Sequence, residues 1–335
     1  MATKTKTKGT VREVGEWGLI EWVRRRMPLN ASGLIKGIGD DAAVLIGGEI
    51  ITTDMLVEKI HFDRKWQDWN RLGRKALSVN LSDIAAMGGF ARCAFLDIAV
   101  PPNSKWKVVE AILTGFAHAA RDYGVAVAGG DTSASPGPII IAVTVVGNSP
   151  RPVLRSGARP GDIVFVSGSL GDAALALRLA SKKSVGSGSN GVFLMNRLTD
   201  PTPRLPQGRA VGQYASAMID ISDGLVSDLG HICQESSVGV RIRLKDIPIS
   251  NAYKFVKGRL REKNAKKFYN EALRGGEDYE LLFTVPAIHR ESIKRITDSV
   301  PLTEIGDIIP ASEGMVIIGP QGNIPMNPNE GFSHF

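Results

Sequence analysis

The sequence predicts an α/β (α+β) protein of two domains, and three observations carry that prediction. Its 335 residues suit two domains of roughly 100–200 residues, each able to bury its own core. Single apolar runs rich in β-branched residues alternate with segments of helical periodicity through both halves of the chain. A stretch with scattered prolines, glycines and arginines, residues 148–160, interrupts that alternation, so residues 1–148 and 149–335 are taken as the two units.

In chain order, residues 16–26 carry Leu19, Ile20 and Val23 at helical spacing, and Pro28 closes the segment. Residues 42–45 and 50–53 read as short strands about the Gly47-Gly48 turn, with a further extended stretch near Ile60. Leu72, Ala76, Val79, Leu81 and Ile84 make residues 68–87 a helix, stopped by Gly88-Gly89. Residues 93–100 form a strand ended by Pro101-Pro102. Asn103 or Ser104 can cap the helix that follows, and Gly124 terminates it. Strands are expected at 125–128 and 138–147. The second half restarts with a strand at 162–167 and a helix at 172–180. The Ser-, Gly- and Lys-rich residues 181–191 read as a mobile loop. Further elements are expected at 218–219, 225–233, 240–244, 279–285 and 290–299.

Composition narrows the class. With 43% hydrophobic and 22% charged residues the chain is neither disordered nor fibrous. Its longest apolar run, residues 139–146, falls far short of the roughly 18–20 residues a membrane span requires. No leader-like apolar segment follows the Thr/Lys alternation near the start, so a cytoplasmic protein without a membrane partner is expected. Cys93 and Cys233 are too few for a disulfide framework and too far apart for a CxxC motif. A net charge of +7 suits nucleic acid, an acidic membrane or a phosphorylated substrate. Part of that charge crowds into residues 254–267 around Phe255, Val256 and Leu260, the pattern of a solvated helix face.

Acids recur beside glycine or hydroxyl residues at the ends of apolar runs. The segments are Gly37-Ile38-Gly39-Asp40-Asp41, Thr52-Thr53-Asp54, Asn80-Leu81-Ser82-Asp83, Gly129-Gly130-Asp131-Thr132 and Asp220-Ile221-Ser222-Asp223-Gly224. Each alone can be a turn or a helix cap, and Ser222-Asp223 precedes Leu225, Val226, Leu229 and Ile232 at helical spacing. Together they point elsewhere. Aspartates ending strands of one domain converge at one sheet edge, and close carboxylates repel unless cations neutralise them. Oxygen ligands without clustered Cys or His favour Mg²⁺, bound through carboxylates and substrate phosphates. The glycines let backbone N–H groups approach a phosphate. A Walker GxxxxGK[ST] loop and the kinase HRD and DFG motifs are absent from the sequence. A basic nucleic-acid-binding protein would account for the charge but would leave these acidic segments unexplained. No nucleic-acid partner is expected.

These segments resemble those of the thiamine-monophosphate kinases, a family within the superfamily of aminoimidazole ribonucleotide synthetase, selenophosphate synthetase and a hydrogenase maturation protein. The resemblance extends to His61-Phe62, Val79 through Gly88, Arg155-Ser156-Gly157, Gly275-Gly276-Glu277-Asp278-Tyr279-Glu280-Leu281 and the terminal Gly331-Phe332-Ser333-His334-Phe335, in family order over nearly the whole chain. It implies an aminoimidazole-ribonucleotide-synthetase-like fold of two α/β domains, the N-terminal one pairing with its twin in a homodimer. It also implies ATP-dependent phosphorylation of thiamine monophosphate to thiamine diphosphate, with several Mg²⁺ ions. Asp41, Thr52, Thr53, Asp54, Asp83, Asp131, Asp220 and Asp223 would hold the metal, with Asp54, Asp131 and Asp223 central to catalysis. Gly130, Asp131, Arg155 and Ser222 would contact ATP, and His61 and Glu277 the acceptor. Asn329 stands where similar sequences often carry a tryptophan, with Phe332 nearby. Selenophosphate synthetases carry a reactive Cys or selenocysteine near the start and the hydrogenase protein a C-terminal one. Here the first cysteine is Cys93, and the chain ends in Phe335. Gly168-Ser169-Leu170-Gly171, His118 and His231 read as architecture.

Overall fold

The structure is a computed structural model that describes residues 9–28, 31–182, 184, 186, 188–262, 264–296, 299–320 and 322–328. It begins with helix α1 (Val11–Arg26), where Thr10 and Glu13 form a reciprocal capping box. Strands β1 (Leu34–Lys36), β2 (Ala43–Leu45) and β3 (Glu49–Val57) follow. β3 continues past the expected end at residue 53, and the stretch near Ile60 is a turn with one isolated bridge between Glu58 and Phe62 rather than a strand. Helix α2 (Trp69–Ala86) starts where the Asp68 carboxylate accepts the Arg71 N–H at 2.9 Å. Next come β4 (Phe90–Val100), α3 (Trp106–Asp122), β5 (Ala126–Gly129), β6 (Thr132–Ala134) and β7 (Ile140–Asn148). Neither Asn103 nor Ser104 caps α3. Its N-cap is Lys105, and Ser104 instead closes a turn by donating its N–H to the Pro101 carbonyl.

These strands form one sheet in the order β1-β2-β3-β7-β4-β5, with β6 also on β4. Its central pairs β3–β7 and β7–β4 are antiparallel, whereas β5 and β6 run parallel to β4. Alternation splits the sheet into two faces. Ile50, Thr52, Leu56, Ala94, Ile98, Ile141, Val143 and Val145 are buried towards α2 and α3. The other face leaves Met55 and Phe95 exposed, and Val127, which pairs with Ala94 on the inner face, is exposed at the edge of the sheet.

The second half contains β8 (Ile163–Ser167), α4 (Asp172–Ser181), α5 (Ser189–Thr199), α6 (Leu205–Gly212), β9 (Ala217–Asp220) and α7 (Leu225–Ser236). It continues with β10 (Gly239–Arg243), α8 (Asn251–Arg259), α9 (Ala265–Phe268), α10 (Asn270–Arg274), β11 (Leu281–Val285), α11 (Arg290–Lys294), β12 (Leu302–Ile309), β13 (Met315–Gly319) and β14 (Gly322–Pro325). The expected loop at 181–191 is shorter than its composition suggests. From Ser189 the chain is helical, because Leu194 and Leu198 bury against Leu175, Leu179 and Tyr253. The basic stretch 254–267 is not a uniformly solvated face. Lys257 is wholly buried and pairs with Glu262 at 2.6 Å and with Glu271. The last expected helix stops at Lys294 among the described residues.

The second sheet has the order β14-β13-β10-β12-β8-β11-β9 and is antiparallel except between β10 and β13. One apolar core runs from the first sheet through α2 to one face of the second, including Phe165, Met218 and Phe283. α2 is therefore buried on nearly all sides. It packs on α3, β3 and β7 and also on α6 and β9, so its polar residues are enclosed between the two sheets. Among the described residues no helix is long and apolar enough to cross a membrane.

Candidate active site

A cleft of about 910 Å³ opens where the two halves meet. Its wall takes Thr53, Asp54 and His61 from β3 and the turn beyond it, Asp83 from α2, Asp220, Ser222 and Asp223 from the end of β9, and Glu277 from the loop before β11. Its size and mixed lining fit a small-molecule site at a domain junction.

The acidic residues converge as the strand-end argument expects. Asp41, Asp83 and Asp220 each present a carboxylate oxygen within 4.8 Å of the others. Thr52 donates its hydroxyl to Asp83, and Ser82 donates to Asp220 at 2.6 Å. Asn80 fixes the backbone of β3 by accepting the Asp54 N–H at 3.0 Å. Burial and mutual repulsion disfavour so many charges. Asp54 is pushed up to about 6 by burial and by Asp223 and Asp41. Asp220 is pushed up to about 8 by burial and by Asp41, and Asp83 is raised well above the usual carboxylate range by burial, Asp54 and Asp220. Asp41 is raised by burial against the opposing pull of Arg155, and its Oδ2 is buried without a hydrogen-bond partner. Converging hard oxygens, one of them orphaned, fit a divalent cation such as Mg²⁺.

Ser222 and Asp223 precede α7, but they do not cap it. The N-cap is Gly224, and the Asp228 carboxylate inside the helix accepts the N–H groups of Asp223 and Gly224 at 3.2 and 3.0 Å. That leaves both preceding side chains at the cleft instead of in the helix terminus. Asp228 went unread in the sequence, although an acid one turn into a helix behind glycine is the available signal. His231 brings an imidazole nitrogen within 4.8 Å of the Asp223 and Asp228 carboxylates, and burial pushes its pKa down to about 4.

Alternation along β3 separates two adjacent candidates. Thr52 and Asp54 turn towards α2, whereas the Thr53 hydroxyl pairs with that of Thr144 at 3.1 Å on the outer face of the sheet. Arg155 lies outside the cleft lining. Its guanidinium binds Asp41, and its backbone N–H donates to Asp40 at 3.1 Å. Gly130 and Asp131 also lie apart. They sit beyond β4, where the Asp131 N–H donates to Asp97 at 2.7 Å on the exposed face. Gly130 has φ 144, and a Cβ there would fall 1.8 Å from the Leu96 carbonyl oxygen, so glycine is required by β4 itself.

At the acceptor end, His61 lines the cleft while its Nδ1 accepts the Val57 N–H at 2.9 Å. Glu277 occupies the left-handed region at φ 71, its N–H bonded to the Ser222 carbonyl at 2.8 Å. Its carboxylate meets Lys75 of α2, a wholly buried lysine that sequence reading passed over. Asn329 and Phe332 lie outside the described residues.

Comparison with known proteins agrees with this architecture. Residues 39–148 match the family described as AIR synthase related protein, N-terminal domain, and residues 159–319 match its C-terminal domain. The thiamine-monophosphate kinase of Aquifex aeolicus is 36% identical over 312 residues, covering 92% of this chain and 96% of the relative. That of Escherichia coli K12 is 37% identical over 336 residues, covering 96% and 98%. The structure of AaThiL complexed with AMPPCP and TMP superposes with a TM-score of 0.86 at 34% identity, covering 98% of this chain and all of that one. With this identity along almost its full length and both domain models matched, the chain belongs to the thiamine-monophosphate kinase family of AIR synthase related proteins.

Proposed function

We propose that this protein transfers the γ-phosphoryl group of ATP to thiamine monophosphate, giving thiamine diphosphate and ADP. The observation that carries the reading is the carboxylate-lined cleft at the domain junction, in a chain whose relatives bear that activity in their names. The AMPPCP and TMP bound by AaThiL are consistent with both substrates.

The acceptor phosphate, with a second pKa near 6, already presents an ionised oxygen at neutral pH. No general base is required. That oxygen forms a bond to the γ-phosphorus as the bond from phosphorus to the β-bridging oxygen breaks, and ADP leaves with the electron pair. Asp41, Asp54, Asp83, Asp220 and Asp223, with Thr52, are the residues that would hold Mg²⁺, whereas the Thr53 hydroxyl faces the other side of the sheet. When bound, Mg²⁺ supplies charge neutralisation between two anionic substrates and in-line alignment. The chain's own part is positional. Asn80 holds the Asp54 backbone, Asp228 fixes the turn bearing Ser222 and Asp223, and Arg155 holds Asp41. His61 and Glu277 face the acceptor in this reading, with the Glu277 carboxylate towards its cationic thiazolium. No protein nucleophile is used, so transfer is direct.

The reading includes a homodimer formed through the first sheet and a cytoplasmic setting. Exposed Met55 and Phe95 on one sheet face support the pairing, and Gly130 and Asp131 keep a nucleotide or metal role only through it. Light scattering at micromolar concentration should give twice the 35.9 kDa chain mass, and a monomer rejects the pairing. The activity is tested by incubating the protein with ATP, Mg²⁺ and either thiamine monophosphate or thiamine, then separating the products by chromatography. Thiamine diphosphate should form from the monophosphate alone, because the hydroxyl of free thiamine is a poor nucleophile without a base. No diphosphate from folded, Mg²⁺-supplied protein rejects the assignment.

A further inference from the structure

We propose that Lys75 is a positioning residue for the acceptor, holding the Glu277 carboxylate in place across the domain junction. This rests on the reading of Glu277 as an acceptor contact. Lys75 lies on α2 in the first half of the chain and Glu277 before β11, 202 positions later. The Lys75 side chain has no exposure, while that of Glu277 is 23% exposed at the cleft wall. The Lys75 ammonium donates to the Leu198 carbonyl at 3.1 Å and to Glu277 Oε2.

A fully buried ammonium is tolerated only with a paired anion and satisfied hydrogen bonds, and Glu277 with Leu198 supplies both. The dependence runs in the other direction too. Glu277 shares the cleft wall with Asp54, Asp83, Asp220 and Asp223, so the place of its carboxylate within that wall depends on a partner of its own. Lys75 engages Oε2, which leaves Oε1 as the oxygen open to a ligand. Two further contacts remove the backbone's freedom. Glu277 donates its N–H to Ser222, and Tyr279 donates its N–H to Ile221. The main chain is therefore fixed by the residues before α7 and the side chain by α2, so the acceptor meets a preset carboxylate.

The test is a double-mutant cycle on thiamine monophosphate and ATP kinetics with the wild type, Lys75→Met, Glu277→Gln and the double variant, each supplied with Mg²⁺. Lys75→Met should raise the KM for thiamine monophosphate about tenfold or more, as expected for losing a charged hydrogen bond, and leave the ATP KM within about twofold. The double variant should be no worse than Glu277→Gln alone. Equal effects on both substrates, or penalties that multiply in the double variant, overturn the positioning role. Should Lys75→Met fail to fold, Lys75→Gln keeps a donor without the charge, and an unchanged acceptor KM in that variant overturns the proposal equally. A wild type that makes no thiamine diphosphate rejects the acceptor reading itself, whereas an active wild type with normal Lys75 variants rejects this inference alone.

Discussion

Arg155 directs two guanidinium hydrogen bonds, at 3.2 and 2.6 Å, to one oxygen of Asp41 and leaves the other oxygen buried without a partner. An ion pair built this way has half its acceptor capacity in reserve. Asp83 and Asp220 each bring a carboxylate oxygen within 4.8 Å of one on Asp41, so the three can share a cation.

The first prediction concerns that pair. Arg155→Ala removes the counter-charge of a carboxylate that is itself fully enclosed, so unfolding free energy should fall by about 3–5 kcal/mol near pH 8. The loss should be smaller at pH 5.5 than at pH 8, because burial favours the protonated form of Asp41 and acidification moves towards it, and Mg²⁺ should restore part of it at pH 8 by standing in for the guanidinium. Thermal melts at both pH values, with and without Mg²⁺, check this. A loss independent of pH and metal would show that Asp41 and Arg155 are coupled to nothing else.

The second prediction is that the metal-free protein loses stability as pH rises from about 6.5 to about 8. Asp220 is pushed up to about 8, above its unfolded value of 3.8, so across that window the folded state retains a proton that the unfolded state has released. Stability then declines with rising pH. His231 works in the opposite direction, but its change is confined between about 4 and 6.5, below this window. Saturating Mg²⁺ should flatten the decline, because a cation replaces the proton. Denaturant midpoints that stay level without metal over this range would contradict the assignment.

How much of this was readable beforehand depends on the range of the interaction. The β-branched run at 139–146 gave a strand, now β7, and the periodicity from Leu72 to Ile84 gave α2, because both signals are local. Family-spaced acids gave the cleft wall at Asp54, Asp83, Asp220 and Asp223. Nothing local in the sequence tells three acids of one motif apart, and the family resemblance alone singles out Glu277. In Gly275-Gly276-Glu277-Asp278-Tyr279-Glu280, Glu277 reaches the cleft, Asp278 turns inward to accept the Gly171 N–H at 2.7 Å, and Glu280 is buried between two arginines. Only tertiary pairing separates them. Lys75 was hidden for the same reason: nothing local marks one lysine of a helix as enclosed. The start of α5 was masked by Ser and Gly composition, and β12 to β14 went unread even though Met315 to Ile318 form an apolar run.

A third prediction separates catalysis from folding at the carboxylates. Asp54→Asn and Asp223→Asn keep side-chain size and remove charge, and each should cost at least about a hundredfold in turnover at saturating Mg²⁺. The fold should survive. Asp54→Asn should even raise the metal-free melting temperature, since burial and the charges of Asp223 and Asp41 oppose ionisation there. Near-normal turnover in either variant would remove that residue from the proposed metal set.

The final prediction takes Glu280, which like Asp278 of the same motif serves structure instead of the cleft. It is wholly buried and accepts hydrogen bonds from Arg197 at 2.7 Å, from the Arg204 Nε at 2.6 Å and from the Ser167 hydroxyl at 2.6 Å. Burial alone would raise its pKa, but the two guanidiniums and the hydroxyl outweigh it and hold the carboxyl below its ordinary value of 4.5. A depressed folded pKa contributes stability that is present above about 4.5 and is lost as pH falls through the folded value. Glu280→Gln leaves two enclosed guanidiniums without their shared anion, so it should cost about 3–5 kcal/mol at pH 7. The penalty should fade on acidification, because the wild type surrenders the same interaction once Glu280 is protonated. Urea unfolding of both proteins at pH 7 and pH 4 measures the difference. Any thiamine diphosphate formation by the folded fraction of the variant should keep a normal KM for the acceptor, since Glu280 does not line the cleft. An acceptor KM raised tenfold, with stability unchanged, would place Glu280 in the site instead of beneath it.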